Sequence, residues 1–160
     1  ARSPRDFDLV ATVLAARVEA LVRALGGAFY ADAAAIGAAV AARGSFNVIH
    51  LETMVKVDVF VFKGDAFGRS QFARRRAKRL SPEHPATLDV ASPEDTVLAK
   101  LDWYRKGDCV SDRQGNDVLG VLKVQGPTLD RRYLDEWARE FGLVGLLRRA
   151  LEDAGLAVEG

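Results

Sequence analysis

The sequence predicts an α/β fold of the α+β kind, in which a mixed sheet is flanked by helices and followed by a C-terminal helical segment. Three observations predict it. Apolar stretches typical of strands occur in the first 91 residues, helical spacing of apolar residues occurs between them, and the last third has only helical patterns. With 160 residues, 49% of them hydrophobic, the chain is long enough for one domain with a core and a helical appendage.

The chain begins with one predicted strand and two predicted helices. Residues 6–10 are predicted to form a short strand at the start of an apolar run. Residues 13–25 have apolar side chains at spacings of three and four, which predicts an amphipathic helix that ends at Gly26. The alanine-rich stretch 32–42 predicts a second helix, with Asp32 as its N-cap and Gly44 at its end.

Two strong strand patterns follow, SFNVIHL and MVKVDVFVF, with only Glu52 and Thr53 between them. Such a short connection predicts an antiparallel hairpin. In the second pattern, valines at every other position from Val55 to Val61 share one face of the strand, and we expect this face to be buried.

Residues 63–91 leave two structures open. The stretch GDAFGRSQFARRRAKRL is compatible with a basic helix or with the start of a further strand, and a short strand is predicted at Thr87–Val90. Its run of cations (Arg69, Arg74, Arg75, Arg76, Lys78, Arg79) is either a solvated face or a contact for RNA phosphates or for the tail of a nucleotide.

The last third predicts four helices. Ser92 as N-cap, a proline at the first helical position and two acids in the first turn begin a helix that ends near Lys106. Ser111 begins a helix to about Val124, and helices over 130–141 and 143–154 follow. We therefore divide the chain into an α/β core, 1–91, and a C-terminal helical segment packed on it, 92–160.

Charge and cysteine content exclude several classes of protein. The 23 basic and 22 acidic residues give a net charge of +1, so any avid binding of nucleic acid needs a local patch. Cys109 is the only cysteine, which excludes an internal disulfide and fits a reducing compartment, and no apolar stretch is long enough to span a bilayer. The sequence therefore predicts a cytoplasmic protein without a membrane partner.

Three aspartates are the candidate site. Asp6 and Asp8 share one face of the first strand, where two carboxylates about 4 Å apart repel by roughly 4 kcal/mol at an effective dielectric constant near 20. Asp58 lies within VKVDVFVF, where burial of an unpaired charge is costly. Carboxylates from neighbouring strands are ligands for Mg²⁺ or Mn²⁺. The alternative is structural: Asp8 pairs with Arg5, and Asp58 with Lys56 or Lys100.

Taken in order, RDFDLV, VKVDVFV, SPEDTVLAKLDWYRKG and SDRQGNDVLGVLKVQG resemble the nucleotidyltransferases of the polymerase-beta-like superfamily. In particular, they resemble the bacterial branch that includes abortive-infection type toxins, and the resemblance covers about residues 2–154. It implies a nucleotidyltransferase-like fold in which Asp6, Asp8 and Asp58 hold two magnesium ions. It also implies nucleotide-binding roles for Lys100, Arg113 and Asp117, for which an ion pair between helices is the alternative.

The resemblance implies a metal-dependent enzyme that moves a nucleoside monophosphate from an NTP to a hydroxyl-type acceptor, which in related enzymes is tRNA, protein or a small molecule. The alternatives are an inactive binding module of the same fold, such as a toxin-antitoxin component, and a phosphoester hydrolase. Members of the family have a phosphate-binding Gly-Ser motif before the paired acids. Gly44 and Ser45 follow the acids here, so we expect the first strand and helix to be missing from the chain.

The two histidines, the cysteine and two of the aromatic residues are weaker candidates for a functional role. His50 and His84 have no partners at metal-ligand spacing, so a zinc site is not expected, and Cys109 is a weak candidate nucleophile. Trp103 and Tyr104 either pack the helical segment or line a base pocket beside Lys100.

Overall fold

A computed structural model describes residues 6–107 and 112–156, except the side chains of residues 6, 80 and 112–114. The chain divides into two compact units, residues 1–68 and residues 69–160. The fold is a mixture of helices and strands, as the sequence predicts. The division into domains at residues 91 and 92 is not tested by these units and stays a prediction.

Unit 1 contains a mixed four-stranded sheet in the order β1-β4-β3-β2. Only β1 and β4 are parallel, and the other neighbours are antiparallel. The elements in chain order are β1 (Asp6–Ala11), α1 (Val18–Leu25), β2 (Phe29–Tyr30), α2 (Ala33–Ala42), β3 (Ser45–His50) and β4 (Val55–Val61).

The two helices of unit 1 pack on one face of this sheet. Val18 of α1 and Ile36 of α2 form a buried cluster with alternate residues of β3 and β4, namely Phe46, Val48, Val59 and Val61. The predicted burial of the valine face of β4 is thus confirmed at Val59 and Val61, which are 8% and 7% exposed. The cap of α2 is also as predicted, because Asp32 accepts hydrogen bonds from the backbone N–H groups of Ala34 and Ala35.

The predicted hairpin of β3 and β4 is confirmed, with a longer turn. Residues 51–54 connect the strands, and Met54 has a left-handed backbone with φ of 55°. The first predicted helix is shorter than expected, because residues 15–17 form a 3-10 turn before α1 begins at Val18.

Residues 63–91 contain both structures that the sequence left open. A helix, α3 (Ala66–Arg74), is followed by a two-stranded antiparallel sheet of β5 (Arg76–Ser81) and β6 (His84–Val90). The predicted short strand at Thr87 therefore begins three residues earlier, at His84. The basic run is divided between the end of α3 and β5.

Unit 2 ends in the four predicted helices, α4 (Pro93–Lys106), α5 (Asp112–Gln125), α6 (Arg131–Phe141) and α7 (Val144–Asp153). Their buried side chains include Val97, Leu98, Val118, Leu122, Leu134, Leu143 and Leu147. The predicted cap at Ser92 is present, since its hydroxyl accepts a hydrogen bond from the N–H of Asp95. The predicted cap at Ser111 lies outside the described residues.

Candidate functional site

The register of the sheet in unit 1 places Asp8 directly beside Asp58. Asp8 of β1 is the partner of Asp58 in the parallel pair, and Asp58 is in turn the partner of Asn47 on β3. Paired residues of neighbouring strands point to the same face of a sheet, so two carboxylates and one amide form a row across three strands. We call Asp8, Asp58 and Asn47 the acid row.

A cation lies next to the acid row. The Lys56 Nζ atom is 2.9 Å from Oδ2 of Asp58, with 39% and 24% of the two side chains exposed. Lys56 is also the register partner of Asp6. One structural alternative from the sequence, the Lys56–Asp58 ion pair, is therefore present. It offsets part of the repulsion between the neighbouring carboxylates.

The acid row has the chemistry of a site for a hard cation. Its oxygen donors are the carboxylates of Asp8 and Asp58 and the amide of Asn47, and Mg²⁺ is commonly held by one or two carboxylates together with substrate phosphates. Within the described residues, no cluster of three or more acidic, histidine or cysteine side chains could hold a metal. The third predicted ligand, Asp6, lies in β1, but its side chain is outside the described part of the chain.

Lys100 and Asp117 lie in unit 2, where they form an ion pair between α4 and α5. The Lys100 Nζ atom is 2.9 Å from Oδ2 of Asp117, and the Lys100 side chain is only 15% exposed. The interhelical alternative is therefore present. Arg113 lies on α5 as predicted from the sequence, and its side chain is outside the described residues.

A buried polar network in unit 2 was missed by sequence reasoning, which treated the two acids after Pro93 only as helix-start residues. Glu94 and Asp95 are 5% and 0% exposed. Arg74 at the end of α3 donates a hydrogen bond of 2.9 Å to Oε2 of Glu94, and its Nε lies 3.7 Å from Oδ2 of Asp95. The two buried carboxylates thus share one guanidinium.

Tyr133 of α6 completes this network. Its hydroxyl donates a hydrogen bond of 2.7 Å to Oδ1 of Asp95, and Ser70 Oγ lies 2.9 Å from the same hydroxyl. The guanidinium of Arg74 lies over the Tyr133 ring, 3.9 Å from its centroid. The other Oδ of Asp95 accepts a hydrogen bond of 2.6 Å from Ser92. These contacts hold α3, α4 and α6 together, so we call Arg74, Glu94, Asp95 and Tyr133 the buried clasp.

The environment of the clasp shifts two pKa values. Burial raises the pKa of Glu94, but hydrogen bonds from the Asp130 N–H, its own N–H, Ser92 and Arg74 outweigh burial and bring the pKa below its ordinary value. Burial raises the pKa of Tyr133 well above its ordinary range. The Asp95 carboxylate, which accepts a hydrogen bond from the phenol, raises this pKa further, whereas Ser70 and Arg74 lower it.

The lowered pKa of Glu94 gives a pH dependence of stability. A carboxyl whose pKa is lower in the folded state stabilises the fold above its unfolded pKa, and this contribution is lost as pH falls through the folded pKa. We therefore expect the free energy of unfolding to fall below about pH 4.5, the ordinary pKa of this side chain. Glu94→Gln should flatten this acid limb in urea titrations between pH 6 and 3. An unchanged slope contradicts the assignment, and Glu52→Gln in the exposed β3–β4 turn is the control.

The other predicted polar residues have local partners. The Nε atom of Arg75 lies 2.9 Å from Oδ2 of Asp89. Two cations of the basic run, Arg74 and Arg75, are therefore paired with acidic side chains. His50 Nδ1 lies 2.8 Å from the hydroxyl of Thr53, and His84 Nδ1 accepts a hydrogen bond from the N–H of Ala86. In the described part of the chain, neither histidine belongs to a metal-binding group.

An apolar groove of about 590 Å³ lies on the opposite face of the unit 1 sheet from the acid row. Its walls include Leu9 of β1, Leu14, Leu21 of α1 and Val57 of β4, and Arg17 is its charged lining residue. β1 is an edge strand, and Leu9 is 47% exposed. A groove with so few polar groups has little that could orient a reacting substrate.

Comparison with protein-family models, with curated proteins and with solved structures yields no match to this chain. Among the helices in the described ranges, none has the length and apolar content needed to cross a bilayer.

Proposed function

We propose that the protein is a metal-dependent nucleotidyltransferase that uses the acid row. The observation that carries the proposal is the register of β1 and β4, because Asp8 and Asp58 are 50 residues apart in sequence and direct neighbours in the sheet. Mg²⁺ in phosphoryl-transfer sites is commonly held by one or two carboxylates, and two carboxylates on one sheet face can supply them. The resemblance of RDFDLV and VKVDVFV to the polymerase-beta-like superfamily supports the same function.

In the proposed reaction, an acceptor hydroxyl attacks the α-phosphorus of an NTP. The new bond joins the acceptor oxygen to that phosphorus, the bond to the β-phosphate oxygen breaks, and pyrophosphate leaves. Bound Mg²⁺ or Mn²⁺ supplies charge neutralisation for the phosphates and activates the acceptor oxygen. Asp8, together with Asp6, would hold the ion, and Asp58 would hold it too and would accept the proton that leaves the acceptor hydroxyl.

The remaining parts of the proposal come from the resemblance. Lys100, as a mobile point charge, steadies a nucleotide phosphate once its ion pair with Asp117 opens, and Arg113 assists. The acceptor is tRNA, a protein or a small molecule. The test measures transfer of label from an NTP labelled at its α-phosphate, in parallel reactions with Mg²⁺ and with EDTA. If none of the three classes of acceptor receives label in a Mg²⁺-dependent way, the proposal is contradicted.

The Lys56–Asp58 ion pair gives a prediction for cation binding. Because a cation and the ammonium group compete for Asp58, we expect Lys56→Met to bind Mn²⁺ more tightly than the wild type, by roughly two- to fivefold for an exposed pair. Calorimetric titration with Mn²⁺ measures this without nucleotide. Equal or weaker binding by Lys56→Met would show that the ammonium does not compete, and Lys63→Met, an exposed lysine of the same unit, is the control.

The same ion pair favours a second candidate function, a catalytically inactive binding module of the nucleotidyltransferase fold, such as a toxin-antitoxin component. An ammonium group paired with Asp58 can satisfy the carboxylate as a purely structural contact. The two candidates differ in cation binding. If millimolar Mn²⁺ changes neither the calorimetric signal nor the melting temperature, the binding module is favoured. If the wild type binds Mn²⁺ saturably and Asp8→Asn does not, the enzyme is favoured.

A further inference from the structure

The apolar groove of unit 1 has a buried floor and exposed walls. Its floor includes Phe46, Val48 and Val59, so the groove reaches the buried cluster between the sheet and its helices. Leu9 and Leu14, which also line it, are 47% and 61% exposed. The volume of about 590 Å³ lies within the range of small-molecule pockets, about 300–1,000 Å³. A ligand in the groove would remove both leucine side chains from water, which is favourable.

Two polar residues line the groove, Thr12 and Arg17. Both are exposed, and both lie in the segment between β1 and α1. In the described part of the chain, the Arg17 side chain forms no ion pair. A guanidinium can bind a carboxylate through two parallel N–H donors, and a threonine hydroxyl can donate a further hydrogen bond. The groove therefore combines a long apolar surface with one available cation.

This combination matches an amphipathic anion with a single alkyl chain. The chain is complementary to the apolar floor, and the anionic head is complementary to Arg17. A strongly polar ligand would lose its hydrogen bonds to water and find few partners here. A second copy of the chain, or another protein, fits less well, because specific protein interfaces have about ten direct hydrogen bonds. Thr12 and Arg17 cannot supply that number.

We propose that the groove binds a free fatty acid, with the alkyl chain on the sheet and the carboxylate paired with Arg17. The site is separate from the acid row, because Leu9 and Asp8 are adjacent on β1 and adjacent residues of a strand point to opposite faces. The proposal thus goes beyond the proposed function and does not depend on it. Binding alone is proposed, without any chemical step.

The experiment is calorimetric titration of the full chain with decanoate, in EDTA and without nucleotide. Decanol is the uncharged probe of the same chain length, and octanoate is the shorter carboxylate. We expect saturable binding of decanoate, with decanol bound more weakly by about threefold to tenfold because it lacks the charge. Octanoate should bind about tenfold more weakly than decanoate, since each buried methylene contributes about fourfold to affinity.

Variants of one arginine and one leucine test the two parts of the site. Arg17→Met should bind decanoate no better than decanol, whereas Arg23→Met, an exposed arginine of α1 outside the groove, should keep the preference for decanoate. Leu14→Asn should weaken binding of both probes by about fivefold, because apolar contact area is lost. Leu51→Asn, an exposed leucine outside the groove, is its matched control.

Four outcomes overturn the proposal. They are no saturable binding at millimolar decanoate, wild-type affinity for decanoate in Arg17→Met, equal losses in Leu14→Asn and Leu51→Asn, and a dimeric wild type that Leu14→Asn converts to a monomer. In the last case a second copy covers the groove, and sedimentation velocity detects it. Thermal melts show which variants fold, and Arg17→Gln and Leu9→Asn replace a variant that does not.

Asp8→Asn separates this proposal from the proposed function. It should bind decanoate as the wild type does while losing transfer of label, because Asp8 does not line the groove. Decanoate binding without any transfer by the wild type therefore overturns only the enzyme, and transfer without decanoate binding overturns only the fatty-acid site.

Discussion

Asp8→Asn and Asp58→Asn are each expected to lower Mg²⁺-dependent transfer of the labelled α-phosphate by about 100-fold or more. Each change replaces a charged oxygen ligand with a neutral amide of the same shape, in a site where electrostatic groups typically contribute factors of 10² to 10³ to the rate. Initial rates at saturating NTP, with Mg²⁺ and with EDTA, measure the loss.

The stability of these variants separates chemistry from folding. Asp8→Asn removes one of two neighbouring charges and keeps the shape of the side chain, and a thermal melt beside the wild type shows whether the variant is folded. Asp58→Asn loses the partly exposed pair with Lys56, which is worth about 1 kcal/mol or less. Glu52→Gln is the charge-matched control for activity. Transfer at the wild-type rate by folded Asp8→Asn contradicts the proposed function.

Arg74→Met is expected to destabilise the protein strongly. It leaves Glu94 and Asp95 without their shared cation, and breaking a buried ion pair from one side costs roughly 3–5 kcal/mol. Because 30% of the Arg74 side chain is exposed, we expect a loss near the lower end of that range, about 3 kcal/mol. Urea unfolding at pH 7 measures it.

Arg75→Met is the matched control, since it is the next residue and also pairs with an acid at 2.9 Å. Arg75 and Asp89 are 48% and 58% exposed, so this loss should remain under about 1 kcal/mol. Equal losses in the two variants would show that the clasp adds nothing beyond a surface ion pair. Tyr133→Phe should lie between them, because it removes one hydrogen bond to Asp95 and keeps the ring under Arg74.

The fold could be predicted from the sequence wherever local patterns are strong. Alternation of valines identified β4, and a cap with a proline at the first helical position identified the start of α4. Residues 63–91 could not be assigned, because their arginines suit a helix or an exposed strand equally and few apolar residues indicate a period. The parallel pairing of β1 with β4 is a long-range contact that no local pattern specifies.

The candidate site was partly predictable for the same reason. Alternation along each strand predicts the face of the sheet on which Asp8 and Asp58 lie. It does not predict that β1 pairs with β4, nor the register that makes the two aspartates neighbours. The buried clasp was missed because its members come from α3, α4 and α6, and Tyr133 is 38 residues from Asp95. The available signal was two adjacent acids directly before the apolar core positions of α4.

The most direct test of the central claim, that Asp8 and Asp58 share a divalent cation, is a crystal structure with Mn²⁺ and a non-hydrolysable NTP, measured for anomalous scattering. We expect an anomalous peak about 2.0–2.3 Å from a carboxylate oxygen of each aspartate, with the Lys56 ammonium displaced from Asp58. A nucleotide-bound structure with no peak there, and with Lys56 still paired to Asp58, would contradict the claim.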